Sequence, residues 1–126
     1  NGADMTSVES TATAKLQASK DADVIIGLGA PITLTLLKSV ATAGSSAKVA
    51  SFDLNKELAQ KISDGSVLFT VDQQPWLQGY GAVDALWQNK RGGFTIGGGQ
   101  AVLTGPAIID QANAGDVLKF AEQGIR

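Results

Sequence analysis

Apolar residues recur along this chain in two alternating rhythms, one of helices and one of buried strands. Val8, Ala12 and Leu16 fall four apart, the spacing of one helical face, and Thr6-Ser7-Val8-Glu9 has capping-box spacing, so a helix is expected from there to near Lys20-Asp21. Val24-Ile25-Ile26-Gly27-Leu28 abandons that period for a short β-branched run without polar alternation, the mark of a strand covered on both faces. It ends in Gly29-Ala30, and Pro31, at home in a first helical turn, opens a helix with Ile32, Leu36 and Val40 on one face, ending before Gly44. Lys48 to Phe52 reads as a strand leading into Asp53; Leu54, Leu58 and Ile62 line a helix closed by Gly65; Val67 to Val71 is a third strand. Pro75 then opens the longest helix, with Trp76, Tyr80, Val83 and Trp87 sharing a face. Arg91 to Gly99 holds five glycines in nine residues and reads as a loop between layers. Gln100 to Ile109 is expected to be extended, Pro106 placing its second half at a sheet edge or in a crossover. Asn113 is expected to cap a final helix with Val117, Phe120 and Ala121 buried and Gly124 at its end.

Helix, then strand-helix three times, then loop, extended segment and helix is an α/β order. Short right-handed crossovers between parallel strands predict a three-layer helix-sheet-helix sandwich with a mostly parallel sheet. A chain that enters its first helix from a polar turn looks as if the strand feeding that helix has been left out, and a fragment is expected. At 126 residues it is one domain rather than two.

Composition narrows the chemistry. There are 10 Lys+Arg against 12 Asp+Glu, a net charge of -2, with the lysines scattered and Arg91 and Arg126 far apart, so no nucleic-acid footprint is expected. The chain has neither Cys nor His, which removes thiol nucleophiles, Ser-His dyads and the usual transition-metal sites. No catalytic residue, metal or cofactor is expected. Asn1 is not Met and no stretch has the form of a signal peptide, so any targeting segment is expected to have been removed or never to have been part of this chain.

In open parallel sheets ligands bind beyond the carboxyl ends of the strands. Three places qualify: Gly29-Ala30-Pro31, Asp53-Leu54-Asn55 and Asp72-Gln73-Gln74. Carboxylates and amides on one rim, without a nucleophile-base pair, suit recognition of neutral hydroxyl groups, as in sugars and polyols. Each has a plainer reading as well. Asp53 fits the cap of the following helix, Gln73 and Gln74 fit solvated turn residues, and the aromatic face fits the core or a contact with a second lobe. Gly27-Leu28-Gly29-Ala30-Pro31-Ile32 carries only the first two glycines of a dinucleotide fingerprint, and no Lys-Ser or Lys-Thr follows Gly97-Gly98-Gly99, so neither supports a nucleotide site.

Val71-Asp72-Gln73-Gln74-Pro75-Trp76-Leu77-Gln78-Gly79-Tyr80, followed by Gly97-Gly98-Gly99 and Leu103-Thr104-Gly105-Pro106, resembles the C-terminal part of a type I periplasmic sugar-binding protein, the solute receptor of an ABC importer. The Leu28 to Pro31 turn and the Ser51 to Asp53 strand end agree in order and spacing. The resemblance covers the whole chain and about half of such a receptor, whose two lobes are joined by three crossovers. It implies that residues 1–126 form the C-terminal lobe, that the segment of about 75–100 packs with the N-terminal lobe, and that crossovers near Thr70 to Gln73 and Thr104 to Asp110 absorb lobe closure. It implies ligand contacts at Asp53 and Gln73, with Asp72 a neighbour of less certain aim. At Gly29, where some relatives bring an amide side chain, this chain offers backbone. The implied partners are a monosaccharide or sugar alcohol, the N-terminal lobe and a membrane permease, with no nucleic acid and no reaction catalysed; the implied location is periplasmic or otherwise extracytoplasmic, with or without a lipid anchor on the parent protein. Without its other lobe the chain is expected to self-associate through Trp76, Tyr80 and Trp87. The effector-binding core of a lac-repressor-type regulator shares this architecture and is the alternative, with a nucleotide-binding α/β enzyme a distant third.

Overall fold

A computed structural model of the chain describes residues 4–126. It has four strands in spatial order β1-β2-β3-β4 and five α-helices. β1 (Val24–Gly27), β2 (Lys48–Phe52) and β3 (Phe69–Asp72) run parallel, and β4 (Ala107–Asp110) returns antiparallel at the edge beside β3, directly after Pro106. A proline has no N–H for a ladder, so its place just outside an edge strand follows from its chemistry. α1 (Met5–Ala18), α2 (Ala30–Ala43), α3 (Lys56–Ser63), α4 (Pro75–Gly92) and α5 (Ala114–Glu122) complete the α/β order expected from the sequence.

Register fixes which residues share a face. Gly27 pairs with Ser51, Ser51 with Thr70, and Thr70 with Ile109, forming one row across the sheet, with Ile25 and Val49 in the row behind it. Val49 and Ile109 pack into one buried cluster with Ala30 of α2, Leu58 and Ile62 of α3 and Ala114 of α5, so these helices gather on that face. On the opposite face Val24, Ile26, Phe52 and Ile108 are exposed. The sheet is flanked by helices as expected, but the cover on both faces expected for Val24 to Leu28 is present on one face among the described residues. β1 also stops at Gly27, one residue early, because there the chain turns under α2: a Cβ on Gly27 would lie 2.9 Å from the Cα of Thr33 and would overlap its hydroxyl.

Local signals fix most helix ends, with some displacements. Asp4, not Thr6, is the N-cap of α1, its carboxylate accepting from the Thr6 N–H at 3.1 Å. An aspartate two residues upstream takes the capping role, leaving the Thr6 to Glu9 spacing inside the first turns. α2 buries Thr33, Thr35 and Ser39 beside Leu36. Period alone missed these polar positions, which are satisfied by the Gly29, Pro31 and Thr35 carbonyls one turn back. Gly44 ends α2 at φ 63. α3 starts at Lys56 rather than Leu54 because Asn55 is its cap, accepting from the Leu58 N–H at 2.8 Å. Asp64 closes α3, and hydrogen bonds from Ser66 hold its carboxyl below the ordinary carboxylate range. In α5 Ala114 and Ala121 are buried and Val117 half-buried, whereas Phe120, expected inside, is exposed beneath Lys119. Asn113 occupies the N-cap position, but its side chain turns back to the Asp110 N–H and the Ile108 carbonyl, both at 3.0 Å.

α4 is the longest helix, as expected, and has no buried residue. Its aromatic side chains contact one another and Arg91: Trp76 stacks on Tyr80 at 5.2 Å between ring centroids, and Arg91 lies 5.0 Å over Trp87. Tyr80 is 61% and Trp87 52% exposed. This face is therefore not part of the core of this chain. The glycine-rich connection after α4 contains one 3₁₀ turn, Ile96–Gly99, where Gly97 and Gly98 take positive φ.

Candidate functional site

The carboxyl ends of β1, β2 and β3 come together at one edge of the sheet, where each chain reverses into a helix or a crossover. At the end of β1, Gly29 precedes α2 and its carbonyl accepts from both the N–H and the hydroxyl of Thr33, each at 2.9 Å. The Thr33 hydroxyl also lies 2.6 Å from the Ser51 hydroxyl, tying this turn to β2. Gly29 brings only backbone to the rim.

At the end of β2, Asp53 takes a left-handed conformation, φ 63, uncommon outside glycine though aspartate tolerates it. Three contacts hold it there. Its N–H donates to the Val71 carbonyl at 3.0 Å, its carbonyl accepts from the Thr70 hydroxyl at 2.5 Å, and its carboxylate oxygen Oδ1 accepts from the Gln73 side-chain amide at 2.6 Å. Because Asn55 caps α3, the capping alternative for Asp53 falls away and its carboxylate is directed to Gln73 instead. The structure thus brings Asp53 and Gln73 together, with Asp53 half-buried and Gln73 exposed.

Asp72 sits differently. It is 0% exposed, on the helix-covered face of β3. Its Oδ1 accepts from the Gln74 N–H at 2.8 Å and its Oδ2 lies 3.1 Å from Nη2 of Arg126, so its carboxylate has no oxygen facing the open rim. Gln74, at φ 58, reaches in two directions: its side-chain nitrogen donates to the Thr104 carbonyl and its side-chain oxygen accepts from Arg126 Nη1 at 2.7 Å. The Thr104 hydroxyl in turn donates to the Gln73 carbonyl at 2.9 Å. These are organised connections between two stretches of chain rather than solvated turn residues.

Thr104 lies in the Leu103 to Pro106 stretch that carries the resemblance but was given no role, and Arg126 belongs to no motif. One signal was available for Arg126, since a fully buried carboxylate needs a cation and this chain has two arginines, of which Arg91 belongs to α4. Beside Gln73 an open groove of about 630 Å³ runs between Phe52, Gln78, Thr104 and Pro106. Among the described residues no three potential metal ligands lie together. No described helix is long and apolar enough to cross a membrane. Acceptors and amides at an open rim can hydrogen-bond neutral hydroxyl groups, and the rim presents no nucleophile activated by a base.

Comparisons with known proteins agree with the fold. Residues 2–93 match the family described as periplasmic binding protein domain. A carbohydrate transporter from Acidothermus cellulolyticus 11B, solved in complex with myo-inositol, superposes with a TM-score of 0.95 at 48% identity, over 100% of this chain and 44% of that one. A Caulobacter myo-inositol binding protein bound to myo-inositol gives 0.76 at 24% identity over 94% of this chain and 40% of that one. An arabinose binding protein from Geobacillus stearothermophilus gives 0.72 at 22% identity over 90% and 41%. The last two identities carry the fold alone. This chain spans less than half the length of each of these structures. No curated protein matches it.

Proposed function

Because the chain belongs to the periplasmic binding protein domain family, we propose that it is the C-terminal lobe of a solute receptor that encloses a monosaccharide or sugar alcohol between two lobes and delivers it to an ABC permease outside the cytoplasm. The observation that carries the reading is the Asp53-Gln73 pair: a carboxylate released from helix capping, oriented at 2.6 Å by an amide, at the strand ends where such sheets bind ligands. A carboxylate has about four acceptor positions. One serves Gln73, and the others are free to take adjacent ligand hydroxyls. Gln73 adds an amide that both donates and accepts, and Gly29 adds backbone. A cyclic polyol presents hydroxyls in this manner, and the 48% identical neighbour was solved with myo-inositol. We therefore place myo-inositol first among candidate ligands.

The same reading accounts for two apolar surfaces. α4 stands off the sheet with Tyr80 and Trp87 exposed, and in the proposed receptor the segment of about 75–100 packs into the N-terminal lobe. The open sheet face carrying Val24, Ile26 and Phe52 is the second surface that further chain of the receptor would cover.

Thermal-shift titration of the complete two-lobe protein with myo-inositol, monosaccharides, other sugar alcohols and a nucleotide control tests the reading. A ligand at one hundred times its dissociation constant stabilises by about 2.7 kcal/mol. Such a shift with one polyol or sugar is the expected result. No shift across the panel, or a shift with nucleotide alone, would overturn it.

A further inference from the structure

The most deeply engaged polar group near the site belongs to none of the residues proposed to touch ligand. Asp72 is entirely buried, its charge is met by Arg126 across 3.1 Å, and Arg126 also grips the side chain of Gln74 at 2.7 Å. Gln74 in turn holds the Thr104 carbonyl. One guanidinium, arriving from the segment after α5, therefore fastens the chain leaving β3 to the chain returning toward β4.

Gln73 lies between the two fastened residues. Its carbonyl accepts from the Thr104 hydroxyl at 2.9 Å and from the Gln78 side chain at 2.8 Å, so its backbone is fixed from the returning crossover and from α4. Its side chain is thereby left to aim at Asp53. Gln74 adopts φ 58, a conformation that non-glycine residues hold only where their surroundings enforce it, and its neighbours here are Asp72, Thr104 and Arg126. The fastening is also incomplete. Although the two groups lie 3.1 Å apart, Asp72 Oδ2 and Arg126 Nε have no hydrogen-bond partner.

We propose that Arg126 is a positioning residue of the hinge: through Asp72 and Gln74 it holds the two crossovers together, sets the aim of Gln73 onto Asp53, and thereby biases the balance between open and closed lobes. The proposal rests on the two-lobe receptor reading. It assigns Arg126 no ligand contact.

The test uses the complete two-lobe protein, with one spin label on each lobe. Asp72→Asn with Arg126→Met removes both charges together and avoids a lone buried ion, while Arg126→Lys keeps the charge and loses the planar fork. Calorimetry with myo-inositol, or with whichever sugar shifts the wild type, reads affinity. Pulsed dipolar spectroscopy reads the interlobe distance with and without ligand. For the double variant the expectation is roughly 2- to 30-fold weaker binding, the range for mutations that alter coupling between sites, together with a broader interlobe distribution in the ligand-free protein. Arg126→Lys should fall between it and wild type, which covers the case in which the double variant fails to fold. Affinity within twofold of wild type, or weakened affinity with an unchanged distance distribution, overturns the proposal. If the wild type binds no polyol or sugar, it is the receptor reading that fails, and the ligand-free distance distribution still decides whether Arg126 governs the hinge.

Discussion

Replacing Asp53 by asparagine separates the charge of the rim from its shape. The residue stands at φ 63, which asparagine tolerates as well as aspartate does, and the cap of α3 belongs to Asn55, so backbone and helix should both persist. Stability should change by less than about 0.5 kcal/mol, as for substitutions away from cores and caps. Binding should not be spared. With one acceptor position occupied by Gln73 at 2.6 Å, the carboxylate has room for two ligand hydroxyls. Hydrogen bonds to a charged group contribute about 1.5–3 kcal/mol each, against about 0.5–1.5 for neutral pairs, so Asp53→Asn forfeits roughly 1 to 1.5 kcal/mol per bond. Two bonds make about 2 to 3 kcal/mol, a loss of roughly 30- to 150-fold in affinity. Isothermal calorimetry of the two-lobe protein with the ligand that shifts its melting is the assay. An Asp53→Asn protein that binds within threefold of wild type would refute the assignment, because it would show that neither hydroxyl depends on the carboxylate.

Other perturbations probe the fold and its unpartnered surfaces. Gly27→Ala should cost about 1–3 kcal/mol in urea unfolding, since a Cβ there lies 2.9 Å from the Thr33 backbone and cannot be relieved by a rotamer change; a loss below 0.5 kcal/mol would show that α2 yields easily. Leu58→Ala, at a position with no exposure, should cost about 2–5 kcal/mol in the same assay. Arg126→Met alone should cost about 3 kcal/mol, the lower end for breaking a buried ion pair because the arginine side chain keeps 22% exposure, and adding Asp72→Asn should recover part of it. The isolated lobe should self-associate at high concentration in sedimentation velocity, and Tyr80→Glu with Trp87→Glu should return it to monomer; a wild-type lobe that sediments as a clean monomer would contradict an adhesive α4 face.

How far the chain could be read in advance depended on whether the deciding physics is local. Helix and strand positions came from period, and the ends marked by Pro31, Gly44 and Pro106 came from backbone chemistry carried by single residues. The Asp53-Gln73 pair was accessible because strand ends follow one another along the sequence at the spacing of a strand-helix unit, even though the 2.6 Å contact bridges twenty residues. The burial of Asp72 was not legible for the opposite reason. β3 turns Thr70 and Asp72 under the helices and leaves Phe69 and Val71 half-buried on the other side of the sheet. Thr70 spends its hydroxyl on the Asp53 carbonyl, and Asp72 finds its cation more than fifty residues away.

That inversion has a further consequence. A strand whose polar residues are inside carries its apolar residues on the other side of the sheet, where Val24 and Ile26 of β1 are exposed as well, and the aromatic face of α4 is likewise uncovered. Periodicity identifies a face without identifying its partner, so period alone could mark Trp76, Tyr80 and Trp87 as one surface, and the expectation that a second lobe meets it came from the resemblance. Among the described residues α4 meets nothing that buries any of its residues. In the proposed two-lobe receptor these uncovered apolar surfaces are where the remaining parts of the protein would pack. In that proposed receptor the Asp53 rim and the α4 face share a requirement: the lobe proposed to bury the aromatic residues would also supply the opposing wall of the ligand site.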